Sequence, residues 1–250
     1  MTESVRGRVR VEPCAKRVRT YVDGEVVADS TRPLLVWEGP HFPTYYFPLA
    51  DVLATLTPTG TSEHSPSRGT GEVYDVVTSR RTVPGAAKRY ADSEFAELRD
   101  AVRLDWRAMD EWMEEDEPVY THARDPYHRV DIVSSLRHVR VKVDGVTLAD
   151  SRSPMALFET GLPPRWYLPL SDLRLDLMSR SDLVTHCPYK GAATYFTAEV
   201  NGRPYPNLVW IYRSPLAESQ KIAGMACFYN EKVDLYLNGE LQERPHTPFS

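Results

Sequence analysis

The stretch His186-Cys187-Pro188-Tyr189-Lys190-Gly191 places an imidazole, a thiol, a phenol and an ammonium within five positions. A thiol becomes a nucleophile when neighbouring cations lower its pKa, and His186 and Lys190 are the cations at hand. Glu159, upstream, could orient the imidazole. Cys187, His186 and Glu159 are therefore the candidate catalytic residues, with His186 and Glu159 also able to work alone as an acid–base pair. A competing reading is structural. Neighbours on a strand face opposite ways, so His186 and Cys187 meet only if Pro188 turns the chain. Cys187 otherwise serves as a small buried residue in a packed loop. The same side chains with a further histidine could bind a metal, but there is no C-x-x-C pair and neither His138 nor His246 is placed near them. No metal and no cofactor are expected.

Aromatic residues crowd the same region: Trp166, Tyr167, Tyr189, Tyr195, Phe196, Trp210 and Tyr212. Such a cluster is often plain core. Several of its members follow proline-rich turns, where loops expose side chains. Aromatic walls with a few polar groups suit a small-molecule pocket. The predicted pocket has Trp166, Tyr167 and Trp210 as walls and Cys187 at the floor. Glu159, His186 and Lys190 make the polar contacts, and Tyr189 and Tyr195 also line it.

These residues sit in the second copy of a duplication. Val18-Arg19, Val22-Asp23-Gly24 and Ala28-Asp29-Ser30 recur as Val139-Arg140, Val143-Asp144-Gly145 and Ala149-Asp150-Ser151. The match runs on through Glu38/Glu159, Tyr46/Tyr167 and Asp51/Asp172, and the six-residue stretch has a degraded copy in His64-Ser65-Pro66-Ser67-Arg68-Gly69. A repeat of this length is a domain. We place the first domain at 1–118, a linker at 119–129 and the second domain at 130–250. The copies diverge at the candidate site: Cys187 becomes Ser65, Tyr189 becomes Ser67, and Trp210 aligns with Lys88. Glu38, Tyr46 and His64 keep the shared types and are the ligand-binding candidates of the first copy.

Each copy opens with alternating residues around Asp-Gly, a two-residue hairpin signal. Short apolar runs follow at 34–37 and 155–158, each ending in a glutamate, and then Tyr45-Tyr46-Phe47-Pro48 or Trp166-Tyr167-Leu168-Pro169. Leu173, Leu175 and Leu177 alternate like a half-buried strand. Strands are predicted at 194–200, 208–212, 225–229 and 233–237. Ser214-Pro215 reads as the start of a helix reaching Gly224. In the first copy, the repeat aligns Val102-Arg103-Leu104 with Ala226-Cys227-Phe228, and Met109–Trp112 with Val233–Tyr236. The strong helix formers from Ala108 to Glu115 predict a helix in that copy alone. The linker carries Tyr120, His122, Tyr127 and His128, which suits packing on the domains. The tail from Glu243 is expected to be poorly ordered. The elements add up to a mainly β fold: two tandem, strongly bent antiparallel-sheet domains, each with a short helix.

The chain has 250 residues and a formal charge of −5. The basic positions Arg6, Arg8, Arg10, Lys16, Arg17 and Arg19 read as a solvated strand face, and no nucleic-acid partner is expected. No leader and no long apolar run appear, so no membrane contact is expected. Three cysteines without a pairing pattern fit a reduced, cytoplasmic protein. Neither a G-x-G-x-x-G nor a Walker loop is present. The two domains are expected to pack on each other.

Together Val143-Asp144-Gly145, Ala149-Asp150-Ser151, Phe158-Glu159-Thr160-Gly161-Leu162-Pro163, Tyr167-Leu168-Pro169, Thr185–Gly191, Ile222-Ala223-Gly224 and Phe228-Tyr229 resemble the bacterial DUF427 family, specifically its tandem members. Asp125-Pro126-Tyr127 in the linker fits as well. The resemblance implies an Mss4-like or β-tent fold and brings no activity with it. Zinc, held in many proteins of that architecture by paired C-x-x-C knuckles, does not carry over. Three functions stay open: a small-molecule binder, an enzyme using Cys187 or the His186–Glu159 pair, and a partner-binding module using the acidic 114–117 turn and the linker.

Overall fold

Two Asp-Gly turns set the pattern of both halves. Asp23 and Gly24 have φ of 49° and 74°, and Asp144 and Gly145 have 47° and 78°. Two consecutive positive φ values match the right-handed twist of the flanking strands. The computed structural model describes residues 9–247, 249 and 250; Arg6 and Arg8 of the basic stretch lie outside the described residues. The chain forms two compact units, 1–125 and 126–250.

The first unit contains β1 (Arg10–Pro13), β2 (Val18–Val22), β3 (Glu25–Ser30), β4 (Leu34–Trp37), β5 (Thr44–Pro48), β6 (Thr55–Ser65), β7 (Gly69–Val77), β8 (Thr82–Arg89), β9 (Ala101–Leu104), β10 (Glu111–Glu114) and β11 (Glu117–Pro118). They form a seven-stranded sheet, β1-β4-β5-β9-β8-β7-β6, and a four-stranded sheet, β11-β10-β2-β3. The second unit contains β12 (Val130–Ser134), β13 (Val139–Val143), β14 (Val146–Ser151), β15 (Met155–Glu159), β16 (Arg165–Leu168), β17 (Met178–Cys187), β18 (Gly191–Val200), β19 (Arg203–Tyr212), β20 (Ala226–Phe228), β21 (Asp234–Leu237) and β22 (Glu240–Leu241). Its sheets repeat the same plan: β12-β15-β16-β20-β19-β18-β17 and β14-β13-β21-β22. The fold is mainly β, and neighbouring strands are antiparallel.

Alternation decides which face each residue serves. In β13, Val139, Val141 and Val143 are buried while Arg140 and Lys142 are half-exposed. The three valines join Ala156, Trp166, Leu168, Val209, Ile211 and Phe228 in the core that the two sheets of the second unit share. The intervening residues Leu157, Tyr167, Trp210 and Cys227 point to the other face, where they form a separate cluster with Tyr195, Tyr212 and Ile222. The first unit divides in the same way between a large cluster containing Val18, Val22, Phe47 and Trp112 and a smaller one containing Val36, Tyr46, Tyr90 and Leu98.

Three expectations are corrected. The segment predicted as a helix from Ala108 to Glu115 is a short 3₁₀ turn, Trp106–Ala108, followed by strand β10. Pairing of β10 with β2 overrides local helix propensity. Leu175–Leu177 forms a 3₁₀ turn rather than a strand, and Leu173 makes only an isolated bridge to Ala149. The helix expected from Ser214 is a 3₁₀ segment, Ala217–Ile222, capped at Leu216 without a side-chain bond. In the tail, Arg244 Nη2 donates to Asp234 Oδ1 at 2.7 Å and Thr247 Oγ1 donates to Glu231 Oε1 at 2.6 Å. No helix is long and apolar enough to cross a membrane among the described residues.

The Asp-Gly turns give a direct test of this architecture. Nothing lies within 4 Å of the place a Cβ would take on Gly145, so substitution there meets only the backbone penalty. Gly145→Ala is expected to destabilise the second unit by about 1–2 kcal/mol in urea unfolding, the usual penalty of a left-handed conformation for an L-residue. An unchanged midpoint would contradict the turn geometry.

Candidate functional site

The six-residue stretch proves to be a hairpin turn. Cys187 ends β17 and pairs with Gly191 at the start of β18, as Ser65 pairs with Gly69 in the first unit. Pro188 and Pro66 stand where φ near −65° is wanted. Gly191 and Gly69 have φ of 94° and 90°, the left-handed conformation that lets a glycine close such a turn. The proline and the glycine therefore serve the backbone. The chemistry the turn delivers is the residue before the glycine, Lys190 or Arg68, which reaches back over the sheet.

In the second unit that residue meets Glu159, at the end of β15. Lys190 Nζ donates to Glu159 Oε1 at 2.5 Å, and His128 Nε2 lies 3.0 Å from the same oxygen. The side chains of Lys190 and Glu159 are 9% and 7% exposed. The His128 ring stacks on Tyr189, with centroids 4.1 Å apart. Burial pushes the Glu159 carboxyl up, but the His128 hydrogen bond and the Lys190 charge outweigh it and hold the carboxyl below its usual range. His128 falls in the predicted linker, and its place beside Pro126-Tyr127 is the only signal the sequence offers for it.

The first unit builds the same corner differently. Glu38 Oε1 accepts from Tyr46 Oη at 2.6 Å and from Arg103 Nε at 3.0 Å, and it is ion-paired with Arg68 Nη1. Arg68 Nη1 also donates to Tyr46 Oη at 2.9 Å. Burial opposes the charge on Arg68 and Arg103, yet Glu38 and Tyr46 raise both above their ordinary value.

From the corner, one row of side chains runs across the large sheet. In the second unit the cross-strand partners are Met155, Tyr167, Cys227, Trp210 and Tyr195. In the first unit the equivalent partners are Leu34, Tyr46, Arg103, Lys88 and Val73. Trp210 Nε1 donates to Tyr167 Oη at 3.0 Å, and the two rings meet edge to face. Tyr195 Oη and Thr185 Oγ1 are 2.8 Å apart. Cys227 is fully buried, and burial pushes its thiol up to about 12, with Arg165 opposing. It stays protonated and inert at neutral pH.

A cover lies over this row. Tyr229 packs against Trp210 with centroids 4.6 Å apart and the rings tilted by 54°, and the Phe249 ring is 6.2 Å from Tyr229. Arg165 stands 5.6 Å from the Trp210 ring and 5.9 Å from the Phe249 ring. Arg165 is locked by a buried, two-bonded pair with Glu231, at 2.8 and 2.6 Å.

The structure brings Glu159, Lys190 and Tyr189 together at the corner and Tyr167, Tyr195 and Trp210 together in the row. Cys187 turns inward to the aromatic cluster. His186 is exposed, on the opposite side of β17 from Cys187, as is His64 on β6. The thiol, imidazole and carboxylate of the catalytic reading do not converge as a triad. Trp166 alternates with Tyr167 and faces the core between the sheets, not the row. Two open grooves, about 640 Å³ beside Trp106 and Trp112 and about 380 Å³ beside Asp176 and Met178, are lined by no residue of the row or corner. Among the described residues, no three His, Cys, Asp or Glu side chains are grouped to hold a metal.

A family model described as a domain of unknown function, DUF427, matches residues 10–115 and again 131–239. The chain belongs to that family and carries its domain twice. No curated protein matches it.

Glu159 has a lower pKa folded than unfolded. Its contribution is therefore complete above the ordinary carboxylate value, about 4.3, and is lost as the pH falls through the lowered folded value. Glu159→Gln leaves Lys190 buried without a counter-charge. It is expected to reduce the stability of the second unit by about 3 kcal/mol near neutral pH. It should also flatten the loss of stability on acidification, measured by urea unfolding at a series of pH values. A variant with an unchanged acid limb would show that another carboxylate governs it.

Proposed function

We propose that the second unit binds a small molecule on the aromatic row. The ring-bearing or apolar body of the ligand lies against Tyr195 and Trp210, and its polar end reaches the Glu159–Lys190–His128 corner. The observation that carries this reading is internal to the chain. The first unit builds the same sheet with Val73 and Lys88 where the second has Tyr195 and Trp210. The fold does not need aromatic residues at those positions, so their presence in the second unit is available to function. Rings that give large contact area at small entropic loss, next to a few fixed polar groups, are the usual make-up of a ligand site.

Entry requires the cover to move. Phe249 is 43% exposed, so it is the most open ring of the cover and the natural point of opening. Cys187 contributes shape rather than reaction: its partner in the first unit is Ser65, and His186 points away from it. Three free thiols, two of them buried, suit a reducing compartment.

Native mass spectrometry of the chain purified from its own host tests this. The wild type is expected to carry an extra mass that is lost on denaturation. Tyr195→Val, which installs the residue of the first unit, should lose that mass. Cys187→Ser, likewise a first-unit residue, should keep it. A bare wild-type chain would overturn the reading, and loss of the mass in Cys187→Ser alone would favour covalent chemistry at the thiol.

A further inference from the structure

The row of the first unit has a chemistry of its own. Lys88 and Arg103 are direct cross-strand partners on β8 and β9. Like charges placed opposite one another on paired strands are destabilising. The equivalent pair in the second unit, Trp210 and Cys227, is neutral, so the sheet does not require the two cations. Arg68 adds a third positive charge from the turn, and its guanidinium lies 5.0 Å from the Tyr90 ring. The side chains of Arg68, Arg103 and Lys88 are 13%, 20% and 20% exposed. They are shielded enough for charge to act strongly, yet open to a ligand.

The acidic groups facing these cations do not satisfy them. Glu38 is shared by Arg68 and Arg103 through a single oxygen. Asp105, 44% exposed, stands 3.6 Å from Arg103 Nη1. Glu63, which pairs with Lys88 at 2.6 Å, is 64% exposed and sits at the rim. Nη2 of Arg68 and Nη2 of Arg103 have no hydrogen-bond partner among the described residues. Of the three carboxylates only Glu38 is shielded among the cations; with the exposed Glu63 displaced and Asp105 screened by water, two positive charges are left to face a dianion. Planar guanidinium forks with free N–H groups fit phosphate oxygens, and an ammonium adds a point charge beside them.

We propose that this face of the first unit is a binding site for a dianionic phosphate group, held by Arg68, Arg103 and Lys88 while Glu63 swings away. The group could be free phosphate or the end of a phosphomonoester. The site is separate from the aromatic row of the second unit and does not depend on a ligand binding there.

The test is a titration of the full ¹⁵N-labelled chain with inorganic phosphate at constant ionic strength, following the arginine Nε–Hε signals. The signals of Arg68 and Arg103 are expected to move along a saturating curve that chloride does not reproduce. Arg103→Cys, the residue of the second unit, should weaken binding about tenfold or more, as expected for loss of a charge-assisted contact. Glu63→Gln, a change at an exposed position, should tighten it by freeing Lys88, and this gain cannot come from misfolding. Repeating the titration with methyl phosphate separates the two sources: tighter binding than phosphate points to a monoester, weaker binding to the free ion. Non-saturating shifts, or saturation untouched by both Arg103→Cys and Glu63→Gln, would overturn the proposal.

Discussion

One carboxylate oxygen holds the corner of each unit. Glu159 Oε1 gathers Lys190 and His128, and Glu38 Oε1 gathers Tyr46, Arg103 and Arg68. A carboxylate taken out of water must be paired. That requirement explains why the Pro-x-x-Gly turn occurs in both copies: it is the device that brings a cation from the far hairpin back onto the end of β4 or β15. The turn is in its turn fixed from outside. Leu216 N donates to Lys190 O at 3.1 Å and Ser219 Oγ donates to Tyr189 O at 3.3 Å, so the 3₁₀ segment before β20 packs on the same corner.

Because the chain carries the fold twice, it contains its own control. Sheet order, the hairpin turns, the corner carboxylate and the first tyrosine of the row are common to both units. The rest of the row differs: aromatic and thiol in one, cationic in the other. What the units share is the framework, and what they do not share is free to serve recognition. A family whose model matches both halves can thus present two unlike surfaces from a single architecture.

Much of the framework was legible in the sequence. The Asp-Gly hairpins, the paired apolar runs and the alignment of residues 102–104 with 226–228 all stand in the structure as strands or turns. The failures have a common cause. Residues 108–115 have high helix propensity, yet Met113 faces Arg19 on a neighbouring strand, and pairing across the chain outweighs propensity along it. The corner was half visible: Glu159 and Lys190 were identified, but His128 and Arg103 were not. Those two reach their carboxylates from 31 and 65 positions away, and no local pattern encodes such a contact. Adjacency in sequence was misleading for His186, since neighbours on a strand point apart.

The claim on which the rest depends is that the row is independent of the sheet framework, with Arg68 sufficient to pair Glu38 when Arg103 is replaced. Transferring the row of the second unit into the first, as Val73→Tyr, Lys88→Trp and Arg103→Cys together, tests it directly. The measurement is hydrogen exchange of the backbone amides in β5, β7, β8 and β9. If the row is independent, those amides keep their protection and the register between β8 and β9 is unchanged. Loss of protection across these strands would show that the cations of the first unit are part of its fold, and would contradict the account.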